Sequence, residues 1–407
     1  MRLHDFLRDN APFLGAGFLL TFGSAFGQTF FISVFAGEIR AEFGLSHGQW
    51  GRAYSLGTLV SAAVMVWTGG LVDRFRIRAA GLFVLLTLAF ACLFMAWTPG
   101  AWALVPAVFL LRFAGQGMMS HLGAVSMARW FVASRGRALS IAGLGFAAAE
   151  ASLPILFVAL LALYDWRLLW VGAALATLLL IPILLRLLRL ERTPQSLAKG
   201  NVSFGMGGRH WTRGQVLRHR LFWFMVPALL GPAAFNTALF FQQVHVAEVK
   251  GWTHLEFVAL FPVYTAANVT ALFLSGFLID RFGTARMMPL FQAPMILGFA
   301  LFAVADSPAV ALFAFLFLGL TSGANATLPS AFWAEFYGTA HIGAIKAMAA
   351  AIMVLGSAIG PGLTGTLISA GIGIETQFLW IAGYFAATCA SVAIGISTSR
   401  RDLAPAA

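Results

Sequence analysis

Apolar positions in this chain fall in long unbroken runs rather than in the one-sided or alternating stripes of a soluble fold. The runs lie near residues 12–37, 49–72, 79–97, 102–128, 138–162, 168–188, 221–247, 256–279, 287–305, 308–333, 343–369 and 376–397. Each is close to the roughly 20 residues that carry an α-helix across a bilayer. The pattern therefore predicts an all-α integral membrane protein with twelve transmembrane helices. Pro154 and Pro361 interrupt the fifth and eleventh runs. The longest polar stretch, 189–220, is rich in Gly and Arg and reads as a flexible basic tether between helical bundles at 1–188 and 221–407. Met1 to Asn10 is polar without a cleavable signal pattern, so the first helix is expected to stay attached.

Polar punctuation between the runs repeats. Gly69-Gly70-Leu71-Val72-Asp73-Arg74 closes the second run, and Gly276-Phe277-Leu278-Ile279-Asp280-Arg281-Phe282-Gly283 closes the eighth. Trp130-Phe131 parallels Phe336-Tyr337, Pro154 parallels Pro361, and Phe30-Phe31 with Glu38 and Arg40 parallels Phe240-Phe241 with Glu248 and Lys250. Several registers agreeing on about half the chain length imply a duplicated protein, a common build among secondary carriers.

Composition narrows the class. Apolar residues make up 60% and charged residues 10%, with mean hydropathy +0.86, whereas a soluble domain carries roughly 25% charged residues. If both termini are cytoplasmic, 21 of the 26 Lys and Arg face the cytoplasm: Arg2, Arg8, Arg74, Arg76, Arg78, Arg129, Arg135, Arg137, the eight cations from Arg186 to Arg220, Arg281, Arg286, Lys346, Arg400 and Arg401. The net charge of +11 then sets topology against an anionic leaflet and needs no nucleic-acid partner. Cys92 and Cys389 lie inside apolar runs and read as small hydrophobes. The eight His are scattered without ligand spacing and no Gly-Lys-Ser/Thr phosphate loop occurs, so neither metal chemistry nor ATP-driven pumping is indicated, and no cofactor is expected.

Twelve helices, a long central loop and the paired Gly-x-Leu-x-Asp-Arg motif resemble the major facilitator superfamily over nearly the whole chain. The segment Phe26-Gly27-Gln28-Thr29-Phe30-Phe31 and Leu45-Ser46-x-x-Gln49-Trp50 are similar to its monocarboxylate and organic-anion branch. One departure stands out: where the family motif continues to Gly three residues after the Asp, Gly283 fits but Arg76 fills that place in the first copy. The resemblance implies two pseudo-symmetric six-helix bundles around a cavity open alternately to each side, in a monomeric multi-pass protein of a bacterial inner membrane. It also implies a conformational latch in Gly69, Asp73, Arg74, Gly276, Asp280, Arg281 and Gly283. A carboxylate at a helix end can pair with Arg or cap a neighbouring helix in one state and release in the other.

The mid-membrane ionisable residues are Arg112 and Glu150, and such groups are costly unless functional or paired. They can form a structural ion pair, or Arg112 can attract an anionic substrate while Glu150 carries a proton. Gln116 and Met119 share the face of Arg112; His121 lies off it. On helices that the family uses to line its cavity, Ser24, Gln28 and Phe31 share one face, as do Asn236, Phe240 and Gln243. Tyr264 pairs with Asn268, and Ser322 with Asn325 and Pro329. Neutral amides orient a ligand without the desolvation cost of a charge. Arg52 either attracts anions at the outer end of helix two or pairs with Glu38 or Glu42. One cavity cation favours a monoanion, or a zwitterionic or neutral solute, over a dicarboxylate. The expected function is proton-coupled secondary transport of a small organic anion; export of amphipathic compounds is the alternative. Gly356-x-x-x-Gly360-Pro361-Gly362-x-x-Gly365 on helix eleven has only Gly145 and Pro154 as its counterpart on helix five; the resemblance implies a Gly-rich Gly-Pro motif there in drug/proton antiporters, so its degraded form lowers the export reading.

Overall fold

The computed structural model describes residues 3–68, 75–131, 135–189 and 204–399. Among them there is no strand, and helical stretches recur at each of the twelve positions expected. We number them α1 (Phe6–Gly27 with Thr29–Phe43), α2 (His47–Thr68), α3 (Ile77–Ala96), α4 (Ala101–Met127), α5 (Arg135–Leu161) and α6 (Trp166–Leu187). The second series is α7 (Arg220–Phe241), α8 (His254–Phe282), α9 (Ala293–Val304), α10 (Pro308–Tyr337), α11 (Ile342–Ser369) and α12 (Ile374–Ser399). Nine of these are long and apolar enough to cross a membrane, or ten when the two arms of α1 count as one span. Large apolar side chains such as Phe83 and Phe277, 68% and 73% exposed, stand on outer helix faces. In water that would be untenable; in hydrocarbon it costs nothing.

α9 is shorter than the run at 287–305 predicts, because the chain turns before it. Gln292 is buried there, donating to the Ala228 carbonyl at 2.6 Å and accepting from Thr388 at 2.8 Å.

The chain divides into two compact units, Met1–Lys199 with Phe240–Val244, and Gly200–Leu239 with His245–Ala407. Inside the first, α1 packs on α5, α2 on α4 and α3 on α6; inside the second, α8 packs on α10 and α9 on α12. Close approach relies on missing side chains. A Cβ on Gly27 or Gly115 would strike the backbone of the other's helix, so α1 and α4 cross with their main chains in contact. Gly356 and Gly360 likewise admit the α7 backbone at Leu230 and Ala234.

Each unit closes one end with the same polar tie. In the first, Arg167 Nη2 meets Glu42 Oε1 at 2.6 Å, while the guanidinium also donates to the carbonyls of Ala96 (2.6 Å) and Thr98 (3.0 Å). Trp166 Nε1 donates to the second Glu42 oxygen at 2.8 Å. Glu42 is thus engaged by Arg167 and Trp166, while Arg52 is exposed. In the second unit Lys250 pairs with Glu375 and donates to the Ala303 carbonyl at 3.1 Å. Both cations cap carbonyls at a helix end that lacks further N–H donors. The order of the signs is exchanged: the acid comes first along the chain in one tie (Glu42, then Arg167) and the cation in the other (Lys250, then Glu375).

The stretch 189–220, expected as a tether, is folded from Phe204 onward. Trp211 Nε1 donates to the Met206 carbonyl and Arg209 stacks 4.3 Å above the Trp211 ring. Thr212 and Gln215 form a capping box for a short helix, Arg213–Arg218. Trp211 and His219 reach Tyr337 at the end of α10, at 3.2 Å through its carbonyl and 3.1 Å through its hydroxyl. Met206 and Val216 are fully buried in the apolar cluster of the second unit.

Arg167 is 29% and Glu42 40% exposed, so the ion pair itself contributes under about 1 kcal/mol. The carbonyl caps add charge-assisted hydrogen bonds. Arg167→Ala should therefore destabilise by about 1–3 kcal/mol and Glu42→Gln by less than about 1 kcal/mol. Thermal unfolding in detergent compares the two; equal losses would mean that the capped carbonyls contribute nothing.

Candidate functional site

α1 does not run straight through the membrane. Its two arms meet at 46°. The break begins with a 3-10 turn at Ser24–Gly27 and passes through Gln28, whose backbone is extended at φ −87° and ψ 155°. The face expected for Ser24, Gln28 and Phe31 is consequently not continuous. Ser24 turns back to donate to the Thr21 carbonyl, and Phe31 is buried among Phe26, Phe35, Phe157 and Trp170. Gln28 stays half-buried at the break itself.

Opposite the break, α4 departs from α geometry as well. Arg112–Met119 is a π-helical stretch, a form found mostly where function holds it. Arg112 opens that stretch and is 1% exposed. Its Nη1 donates to the Gly27 carbonyl at 3.4 Å and to Thr29 Oγ1 at 3.2 Å. Thr29 shares a 2.6 Å hydrogen bond with Tyr54 OH, and the guanidinium carbon lies 5.5 Å from the Tyr54 ring centroid. The ring face adds a cation–π contact. Thr29 and Tyr54 were not singled out from the sequence. A Tyr amid the apolar run of α2 was the available signal, since a buried phenol usually finds a partner.

The other expected residues of the first unit lie on α4, on α5 and in Phe240–Val244. Gln116, one turn past Arg112, is half-buried, as is His121. Glu150 is 4% exposed on α5. Gln243 groups with this unit too: it is fully buried and its Nε2 donates to the Phe30 carbonyl at 3.0 Å. Trp50 stacks on neighbouring Phe241 at 5.7 Å.

The second unit brings Asn236, Ser322 and Tyr264 together. Ser322 Oγ receives Asn236 Nδ2 at 2.7 Å and Tyr264 OH at 2.8 Å. Gly319 and Gly323 make this possible, since a Cβ at either would strike the α8 backbone at Tyr264 or Asn268. Asn268 and Asn325 are half-buried one turn along their helices. Asn236 Oδ1 and Asn325 Oδ1 are enclosed and meet no donor among the described residues. Buried acceptors in that condition are uncommon and call for a donor.

Of the expected latch, Gly69, Asp73 and Arg74 lie outside the described residues. In the second copy α8 ends at Gly283, whose φ of +75° favours glycine, and whose N–H donates to Ile279. Arg76, the counterpart in the first copy, sits at φ −65° and ψ 140°. The departure from the motif therefore reflects a different turn, one that any residue can make. Asp280 and Arg281 are exposed, with Arg281 over the Phe282 ring, and Gly276 faces open space. A polar tie here that the sequence did not reveal runs from the Thr284 hydroxyl to the Glu335 carboxylate on α10. Lys346 is exposed. Among the described residues no three His, Cys, Asp or Glu side chains gather as for a metal ion.

Two helical units with spans of membrane-crossing length, each with polar groups set in an apolar interior, are those of a multi-pass membrane protein. The family model described as the Major Facilitator Superfamily matches residues 17–361 and again 259–405. The chain belongs to that superfamily and is a transporter rather than an enzyme. Among solved structures it is similar to a bacterial homolog of the human lysosomal transporter Spinster, inward-facing and unoccupied, at 16% identity over 98% of this chain and 99% of that one, with a TM-score of 0.74. The nucleoside transporter NupG is similar at 14% identity over 95% and 98% of the two chains, with a TM-score of 0.71. At these identities the likeness is one of fold. No curated protein matched the sequence.

Ser322→Ala would strand both the Asn236 amide and the Tyr264 hydroxyl, at a cost of about 1–3 kcal/mol each before relaxation. Tyr264→Phe removes one donor and should cost about 1 kcal/mol. Thermal midpoints of the purified variants order the two; a Ser322→Ala protein as stable as wild type would mean the three side chains are held by packing alone.

Proposed function

We propose that this transporter carries a small organic monoanion, such as a monocarboxylate, by alternating access with proton coupling. The observation that carries the reading is the buried guanidinium of Arg112, set against the broken backbone of α1. A planar cation with a fork of donors matches a carboxylate. Thr29, Gln28 and Gln116 stand within the same part of the first unit to orient the anion's remaining atoms. Glu150, the buried carboxyl on α5, takes the proton that travels with it.

Neutral amides at Asn236, Gln243, Asn268 and Asn325 take the part of hydrogen-bonding groups that select the solute without adding charge. The open acceptors of Asn236 and Asn325 suit a solute that also carries a hydroxyl or N–H, as a hydroxy acid does. Gly69, Asp73, Arg74, Gly276, Asp280, Arg281 and Gly283 act as the latch of the conformational cycle. The protein works as a monomer in a bacterial inner membrane with both termini cytoplasmic, in keeping with the bias of its cations.

Purified protein in liposomes that hold a pH-sensitive dye is to be challenged with lactate, acetate, formate, oxalate, nitrate and several amino acids. Protein-dependent acidification of the lumen with monocarboxylates, above passive weak-acid entry, is the expected result. Silence across the panel would instead favour export of amphipathic compounds or strict exchange. Arg112→Gln should lower anion flux about 10- to 100-fold, the loss of a charge-assisted contact. Glu150→Gln should abolish acidification yet leave counterflow of labelled anion intact; proton coupling that survives this change removes Glu150 from the role.

A further inference from the structure

A cavity of about 550 Å³ lies on the outside of the first unit, far in character from the polar centre. Its walls are Thr68 of α2, Ala79, Ala80, Phe83, Val84 and Thr87 of α3, and Phe113, Ala114 and Met118 of α4, with Phe75 at one end. The two hydroxyls in this lining are already spent. Thr68 Oγ1 donates to the Val64 carbonyl at 3.0 Å and Thr87 Oγ1 to the Phe83 carbonyl at 2.9 Å, each on its own helix. Otherwise the lining is apolar, which favours an apolar occupant. Phe75 and Phe83 are 57% and 68% exposed, so the cavity opens sideways, toward the hydrocarbon.

The opening has a basic end. Ala79, Ala80, Phe83 and Thr87 form one stripe of α3, and the same register leads back to Arg76. Arg76 and Arg78 are both exposed at the N-terminus of that 20-residue helix, whose dipole adds positive potential. From Arg76 to Thr87 the helix rises about 16 Å, roughly half the ~30 Å hydrocarbon thickness. An apolar slot one leaflet deep with cations at its polar end fits one kind of ligand.

We propose that the cavity between α2, α3 and α4 binds an anionic phospholipid, one acyl chain in the slot and the headgroup phosphate at Arg76, with Arg78 adding positive potential from the other face of the same helix end. The back wall of the slot, Phe113, Ala114 and Met118, belongs to the π-helical stretch that opens with Arg112. A bound chain therefore packs against the far side of the segment that carries the buried cation. The proposal is independent of what the protein transports, and its test reads binding alone.

Full-length protein in detergent is titrated with phosphatidylglycerol or with phosphatidylcholine of the same chains, and retained lipid is counted by native mass spectrometry. Two interfacial arginines predict a roughly 20- to 30-fold preference for the anionic lipid. Arg76→Gln with Arg78→Gln should bring phosphatidylglycerol down to the level of phosphatidylcholine and leave the latter unchanged. Ala80→Phe, which fills the slot, should weaken both lipids about 10-fold. Should that variant fail to fold, six-carbon chains on the wild-type protein give the same information, because a short chain leaves the slot half filled and should bind about 10-fold more weakly. Equal retention of the two lipids, or indifference to both slot filling and chain length, overturns the proposal. Competition by glycerol phosphate as strong as by the whole lipid would also overturn it, since the arginines would then be a plain anion site.

Discussion

The first unit depends on an exchange between a broken helix and a buried cation. Inside a bilayer no water is at hand for a backbone group released from a helix, so irregular main chain survives only where protein meets its needs. α1 breaks at Gln28 and leaves the Gly27 carbonyl and the Thr29 hydroxyl facing α4. Arg112, itself too costly to bury alone, donates to both. Each defect answers the other. The glycines at 27 and 115 bring the two main chains close enough for this to happen, and a methyl group on either would separate them.

The second unit solves the corresponding problem without charge. Gly319 and Gly323 press α10 onto α8, and Ser322, between them, gathers an amide from α7 and a phenol from α8. Close helix contact through missing side chains is common to both halves. What the contact delivers differs: a guanidinium in one, a neutral hydroxyl acceptor in the other. Duplication thus preserves the packing rule and lets the chemistry diverge.

Much of the architecture was legible because a spanning helix writes itself as a long apolar run. The run at 168–188 became Trp166–Leu187, and 343–369 became Ile342–Ser369, within two residues at each end. Arg112 and Glu150 stood out for the same reason in reverse, as ionisable residues where none is cheap. The break at Gln28 did not, since neither a proline nor a run of polar residues marks it, and apolar periodicity continues on both sides. Thr29 was hidden because a Thr hydroxyl among apolar residues usually serves its own helix, and Tyr54 because its partner is on another helix. The ties at the helix ends were hidden because the acid comes first in one and the cation in the other, so the repeat register, which aligns Arg40 with Lys250, does not match them. The folded stretch from Phe204 to His219 was masked by its Gly and Arg content, although Trp211 among polar residues was a sign of an anchored segment.

That reversal of sign bears on how the chain assembles. If the outer arm of α1 met α12 in place of α6, Glu42 would face Glu375; if the helix Gln243–Lys250 that follows α7 met α6, Lys250 would face Arg167. Like charges at a helix end repel and leave the carbonyls of the third or ninth helix uncapped, whereas the native pairings satisfy both. A repeat whose halves kept the same signs would carry no such safeguard. The polarity of two small ion pairs thus acts as an address, by which each half distinguishes its own helices from those of its twin.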